Sequence, residues 1–113
     1  MANENERSFK ITSEEVAPPA SLEAWQVVIK LTNKHGVGIG GKVYARVGAT
    51  EEMSQLVGVL PDLTTTFDFR HSSGPITKIY TRELTCTHQD QKHVFSFEIP
   101  NPKNGGIYSG TAN

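Results

Sequence analysis

The chain has 113 residues, 36% of them hydrophobic, a formal net charge of −1 at pH 7 and a single cysteine, Cys86. This length suits one domain with one hydrophobic core, and the lone cysteine excludes an intramolecular disulfide. The small charge excludes the broad positive field that non-specific nucleic-acid or membrane binding needs, and it leaves only a local charged patch for such partners.

Alternation of apolar and polar residues predicts strands along almost the whole chain, after a flexible polar tail at residues 1–7. A glycine-rich loop at 33–41 separates two of them, and residues 50–56 allow a helix. A late strand is expected to contain a bulge, because its apolar set changes parity between Ile79 and Leu84. The predicted strands span 9–11, 25–32, 42–47, 57–59, 64–70, 76–88 and 94–99, and Ile107 with Tyr108 could add a short edge.

Seven or eight such strands, with turn signals between them, predict an all-β fold: an antiparallel two-sheet β-sandwich over residues 8–113. The chain starts without an apolar leader, and no run approaches the roughly 20 apolar residues of a membrane span. We therefore expect no signal peptide and no transmembrane segment, in a protein that is cytoplasmic or exported without a leader.

Two sets of residues are of the types that bind small ligands, but neither has the surrounding structure or spacing that such a site needs. Gly36, Gly38 and Gly41 match G-x-G-x-x-G, yet the loop leads into a strand, whereas a dinucleotide site needs a helix N-terminus. The histidines and aspartates show no metal-ligand spacing, so no metal and no cofactor is predicted. Whether His88 with His93, or Asp62, Asp68 and Asp90, ever bind a metal stays open.

No catalytic arrangement is visible in the sequence. There is no G-x-S-x-G elbow, and the serines, histidines and aspartates have no triad-like spacing. Cys86 shares the parity of Leu84 in its strand, which predicts a buried and unreactive thiol. We therefore predict no catalytic residues and no enzyme.

A basic and aromatic set of side chains is predicted to point outward from the sheets, where it could bind an acidic partner, a lipid headgroup or a sugar. A solvated sheet face is the alternative interpretation. The outward set is Tyr44, Arg46, Arg70, Lys78, Tyr80 and Arg82. With the loops at 36–41 and 71–74, it defines the candidate binding residues His35, Gly36, Gly38, Gly41, Tyr44, Arg46, Arg70, His71 and Tyr80.

The stretch WQVVIKLTNKHGVGIGGKVYARVGA, followed by TFDFRHSSGPITKIYTRELT, resembles the order of features in PLAT/LH2 domains. Those domains have a strand, a glycine-rich loop, a second strand and a later aromatic-rich strand. Their loop carries an acidic residue that this chain lacks, so calcium is not expected there. The segments VVIKLTN and LPDLTTTFDF also resemble strands of immunoglobulin-like modules. Both resemblances imply a sandwich used for recognition.

Together these observations predict a non-enzymatic binding module that uses end loops or an exposed sheet face. A protein is the first expected partner, a lipid interface or a glycan the next, and nucleic acid is not expected. One alternative is a self-assembling structural or toxin-like component, a homo-oligomer that pairs edges such as Phe9 to Ile11 or Ile107 with Tyr108. Another is a lectin-like carbohydrate-binding protein with exposed tyrosines.

Overall fold

A computed structural model describes residues 5–16, 25–72, 74–82, 84–88 and 90–112, and these residues form eleven strands in two sheets. The all-β two-sheet prediction is confirmed, with more strands than the seven or eight expected. No helix in the described part is long and apolar enough to cross a membrane. The strands are β1 (Asn5–Ser8), β2 (Lys10–Val16), β3 (Trp25–Asn33), β4 (Ile39–Val47), β5 (Glu51–Val59), β6 (Thr64–His71), β7 (Ile76–Thr81), β8 (Leu84–His88), β9 (Gln91–Ser96), β10 (Glu98–Pro100) and β11 (Gly106–Ala112).

Sheet I contains seven strands centred on β4. Strand β5 pairs with one side of β4, and both β7 and β8 pair with the other side, all antiparallel. The register runs from Val43 opposite Thr81 to Gly40 opposite Thr85, so β7–β8 holds one extra residue over this stretch. The single strand predicted over 76–88 is thus two strands, β7 and β8, and the one-residue shift between their registers lets Ile79 and Leu84 face the same core despite their opposite parity.

Sheet II contains β2, β11, β3 and β6 in that order, and the β11–β3 pair is parallel. The predicted short edge at Ile107 and Tyr108 is therefore wrong, because these residues belong to β11, between β2 and β3. Gly110 lies close to its neighbours in this central place: a Cβ there would lie 2.9 Å from Ile11 Cδ1 and 3.4 Å from Phe9 Cβ. The glycine- and asparagine-rich composition of this segment concealed its alternating burial.

The chain crosses between the sheets at Phe9. Strand β1 runs parallel to β9 in sheet I, and β2 then pairs with β11 in sheet II. At the crossing, the Phe9 N–H donates to the Ser96 carbonyl at 2.9 Å, and its ring contacts Phe95 and Phe97. Residues 5–7, which the sequence places in the tail, thus belong to a strand, whereas residues 1–4 lie outside the described residues. The β1–β9 and β11–β3 pairs are the parallel exceptions to the antiparallel prediction.

Strand β5 replaces the helix that residues 50–56 allowed. It pairs with β4 over its whole length, and burial alternates along it up to Val57 and Val59. The β5 edge is covered by β6: the Thr65 hydroxyl donates to the Gly58 carbonyl at 2.9 Å, and the Gln55 amide donates to the Asp68 carbonyl. These bonds close one side of the sandwich and satisfy polar groups at the edge.

The hydrophobic core lies between the two sheets. Its fully buried side chains alternate with outward ones along each strand, as the period of two requires. The largest of them are Phe69, Phe95, Ile29, Leu31, Ile76, Ile79, Leu84, Val27, Val43 and Val59. Cys86 is also buried, as predicted, at 5% exposure.

Candidate functional site

The outer face of sheet I gathers tyrosines and cations from neighbouring strands. In register, Tyr44 of β4 lies opposite Tyr80 of β7, and Arg46 lies opposite Lys78 one row further along. Arg82 follows β7 directly. Since alternate residues of paired strands share a face, these side chains form one surface, which we call the tyrosine–cation face. The face consists of Tyr44, Arg46, Lys78, Tyr80 and Arg82.

Tyr80 forms the centre of this face. Its ring stacks on Tyr44, with ring centroids 5.7 Å apart and an interplanar angle of 16°. Three cations approach the Tyr80 ring centroid: Arg46 Cζ at 5.8 Å, Lys78 Nζ at 5.3 Å and Arg82 Cζ at 5.4 Å. Tyr80 is itself buried, at 9% exposure. The negative face of an aromatic ring attracts cations, so the tyrosine holds three positive charges together.

Two carboxylates flank the tyrosine–cation face, and among the described residues one of its three cations has no carboxylate partner. Glu52 Oε2 lies 2.8 Å from Arg82 Nη2, and Glu98 Oε1 lies 3.0 Å from Lys78 Nζ. No carboxylate of the described residues forms an ion pair with Arg46. Ion pairs as exposed as these contribute little to stability, so a bound anion could replace either carboxylate at small cost.

This arrangement is chemically suited to binding an anion. Arg46 and Arg82 each carry a planar guanidinium, which can donate two parallel hydrogen bonds to a carboxylate, phosphate or sulfate. The cations are already held against the tyrosine pair, so binding immobilises fewer side chains than it would on a bare surface. The buried Tyr80 ring would support the cations, while Tyr44, which is half-buried, and the guanidinium groups would contact the ligand.

The remaining candidate residues lie away from this face. His35, Gly36 and Gly38 belong to the loop between β3 and β4, at one end of the sandwich. His71 ends β6 at the opposite end, where its Nε2 lies 2.8 Å from Glu51 Oε2. Arg70 is exposed on sheet II, opposite Gln26 in register. The structure therefore does not bring the two candidate loops together, and it separates Arg70 from the other cations. Gly41 lies within β4, opposite Val57.

Two candidate histidines do meet. The rings of His35 and His93 have centroids 5.2 Å apart, and His35 also contacts Phe95. His93 is buried, at 6% exposure. The side chain of His88 lies outside the described part of the structure. Among the residues that are described, no group of three or more histidine, cysteine, aspartate or glutamate residues could hold a metal ion.

One of the tyrosines that the carbohydrate-binding hypothesis requires to be exposed is buried. Tyr108 is a core residue at 4% exposure, and its hydroxyl accepts a hydrogen bond from the Lys103 N–H at 3.0 Å. Tyr80 lies beneath three cations, and the half-buried Tyr44 stacks on Tyr80 and has Arg82 Cζ 4.5 Å from its ring centroid. A flat sugar platform usually needs an open aromatic face, which this arrangement does not offer.

Sequence reasoning missed a buried polar residue that organises one end of the sandwich. Asn33 has 0% exposure, and its Nδ2 donates to the carbonyls of Val37 at 2.8 Å and Val59 at 2.9 Å. Its Oδ1 accepts from the His35 N–H at 2.7 Å. Its backbone also binds the turn after β5, accepting from Asp62 N and donating to Leu63 O. The only hint in the sequence is a polar residue at an inward position of β3.

Sequence reasoning also missed a group of exposed leucines. Leu56, Leu60 and Leu63 are 80%, 61% and 54% exposed, and they are the exposed large hydrophobic residues of the described chain. All three belong to β5 or to the turn that follows it. The outward parity of Leu56 in β5 could have revealed the first, but the helix alternative over 50–56 obscured it. We call these three residues the leucine end.

No family model, curated protein or solved structure matches this chain. The tyrosine–cation face and the leucine end are therefore the features of the molecule that bear on its function.

Proposed function

We propose that this protein is a non-enzymatic binding module that recognises an anionic group through its tyrosine–cation face. The observation that carries the proposal is the gathering of Arg46, Lys78 and Arg82 around the single ring of Tyr80. Lys78 and Arg82 are already paired with Glu98 and Glu52, whereas Arg46 has no carboxylate partner among the described residues. The face therefore keeps one uncompensated positive charge, which a bound anion would neutralise.

Several considerations support a recognition role over the alternatives. The PLAT/LH2-like and immunoglobulin-like resemblances favour recognition by analogy alone, since fold does not determine function. Self-assembly through β11 is disfavoured because that strand is paired on both sides, although β2 is still an edge of sheet II. An acidic segment of a protein, a sulfated glycan and an anionic lipid surface all offer the required charge.

The proposal can be tested with three anionic probes: polyglutamate, a heparin oligosaccharide and vesicles containing phosphatidylserine. The test variant combines Arg46→Gln with Arg82→Gln. Its matched control combines Lys30→Gln with Arg70→Gln, which removes the same charge from exposed positions on sheet II. We expect at least one probe to bind, and the test variant to bind it at least tenfold more weakly than the control does.

Two results would contradict the proposal. One is the failure of all three probes to bind the wild-type protein at low ionic strength, where exposed charges interact most strongly. The other is an equal loss of affinity in both double variants, which would indicate general electrostatics and no defined site. Unfolding curves of both variants serve as the check that each remains folded.

A further inference from the structure

The leucine end is a rigid feature of the fold. Leu63 N donates to Leu60 O at 3.2 Å and closes a turn with Pro61 and Asp62 at its centre, where Asp62 has a φ of 61°. This combination of proline and a positive φ defines a type II turn. The turn is also bonded to the backbone of Asn33, so hydrogen bonds fix the backbone that carries Leu60 and Leu63.

The leucine end is continuous with the tyrosine–cation face. Leu56 points outward from β5 on the same face as Tyr44, and its register partner on β4 is the exposed Lys42. Beyond the turn, the exposed Lys34 follows Asn33 in the chain. Asp62 is the one carboxylate within the turn itself. From the turn downward, the surface therefore passes from the apolar Leu60 and Leu63 to a mixed row, where Leu56 lies beside Lys42, and then to the cationic and aromatic residues.

We infer that the partner is the surface of an anionic phospholipid membrane, with the leucine end entering the headgroup layer and the cations of sheet I contacting phosphates. This inference rests on the proposed function and names the ligand of the same face. Leu60 and Leu63 expose two large apolar side chains on one turn, and a bilayer surface is apolar just beneath an anionic layer. The order of residues on this protein matches that layering.

The dimensions agree with this orientation. Interfacial segments bury their apolar groups roughly 5–10 Å into the headgroup and acyl boundary. Lys42 lies opposite Leu56 in register. Leu56 is four residues before Leu60, so Lys42 lies roughly 13 Å from Leu60 along the strand direction. With Leu60 and Leu63 inserted, Lys42 and Arg82, which are level with each other, would lie at the phosphates. Arg46 and Lys78 are level with Glu52, eight residues from Leu60 or roughly 26 Å along a strand, so they would reach the phosphates with the outer face of sheet I lying along the membrane.

The charge distribution favours an anionic bilayer over a neutral one. The whole chain carries −1, yet the outer face of sheet I and the turn present Lys42, Arg46, Lys78 and Arg82 against Asp62, Glu52 and Glu98. Each basic residue near an anionic membrane adds a modest attraction, and a short apolar insertion is weak alone. Binding should therefore need both the leucines and the anionic lipid, and it should weaken as salt is added.

The test uses the full chain with phosphatidylcholine vesicles, with and without phosphatidylserine, in a co-sedimentation assay. The apolar variant combines Leu60→Ser with Leu63→Ser, and its control is Val28→Ser on the outer face of sheet II. We expect the wild type and the control to bind the phosphatidylserine vesicles. The double leucine variant should bind at least tenfold more weakly, and vesicles without phosphatidylserine should bind little.

A second measurement reports insertion directly. Leu60→Cys, labelled with an environment-sensitive dye, should shift its emission to the blue on adding phosphatidylserine vesicles, while the buried Cys86 stays unlabelled. The membrane inference is overturned if this blue shift is absent. It is also overturned if the double leucine variant binds vesicles as tightly as the wild type, or if vesicles bind equally well with and without phosphatidylserine. Polyglutamate or heparin binding without vesicle binding overturns it alone and retains the proposed function. Failure of every anionic probe overturns both.

Discussion

Replacing Asn33 with alanine should be one of the most destabilising single changes in this protein. Its side chain is completely buried and makes three hydrogen bonds, to two carbonyls and one N–H. Alanine leaves those backbone groups without these bonds. The orientation of the amide is itself determined, because two acceptors must face Nδ2 and one donor must face Oδ1.

The magnitude follows from the burial of each group. The bond to the Val59 carbonyl is buried, and a buried polar group left without a partner costs about 1–3 kcal/mol. The bonds to the Val37 carbonyl and the His35 N–H are partly buried, and each contributes about 1 kcal/mol. The free energy of unfolding should fall by about 3–5 kcal/mol, a large fraction of the stability of a small domain.

Urea denaturation monitored by Trp25 fluorescence would measure this change. A matched control is Asn104→Ala at the other end of the sandwich, because Asn104 accepts one hydrogen bond, from Gln26 N at 3.0 Å. That variant should lose about 1 kcal/mol. If Asn33→Ala lost no more than the Asn104 control, the three hydrogen bonds would not be stabilising and the reasoning would be refuted.

Three other predictions follow from packing and from the tyrosine–cation face. Gly106→Ala should lower the free energy of unfolding by about 1–3 kcal/mol, since the new Cβ would lie 2.9 Å from the Lys103 carbonyl oxygen. The control Gly58→Ala should leave the free energy of unfolding unchanged, because its Cβ meets open space. Equal urea midpoints for the two variants would contradict this prediction. Cys86 should react with a thiol reagent only after denaturation, so rapid labelling of the native protein would contradict its burial. Tyr80→Leu should weaken anionic-probe binding three- to tenfold through lost cation–π contacts, whereas Tyr80→Phe, which keeps the ring, should bind like the wild type in the same titration.

Local patterns predicted much of the secondary structure because the period of two is a property of the extended backbone. Strand β3 and strand β6 match the alternation at 25–32 and 64–70, and the parity change between Ile79 and Leu84 corresponds to a one-residue register shift between two strands, β7 and β8, in place of one long strand. The wrong predictions fall in segments whose amino-acid composition does not show the strand pattern. Glycine-rich β11 was expected at an edge, and an ambiguous apolar run concealed the outward position of Leu56 in β5.

The sequence by itself determined which faces of the strands are apolar, that the fold is all-β with two sheets, and that basic and aromatic residues point outward. Only the tertiary structure decided which strands are neighbours, because pairing depends on contacts between residues far apart in the chain. Pairing of β4 with β7 places Arg46, Lys78 and Tyr80 together, whereas pairing of β6 with β3 takes Arg70 to the other sheet. The same long-range packing made Asn33 a buried centre of hydrogen bonding and exposed the leucine end.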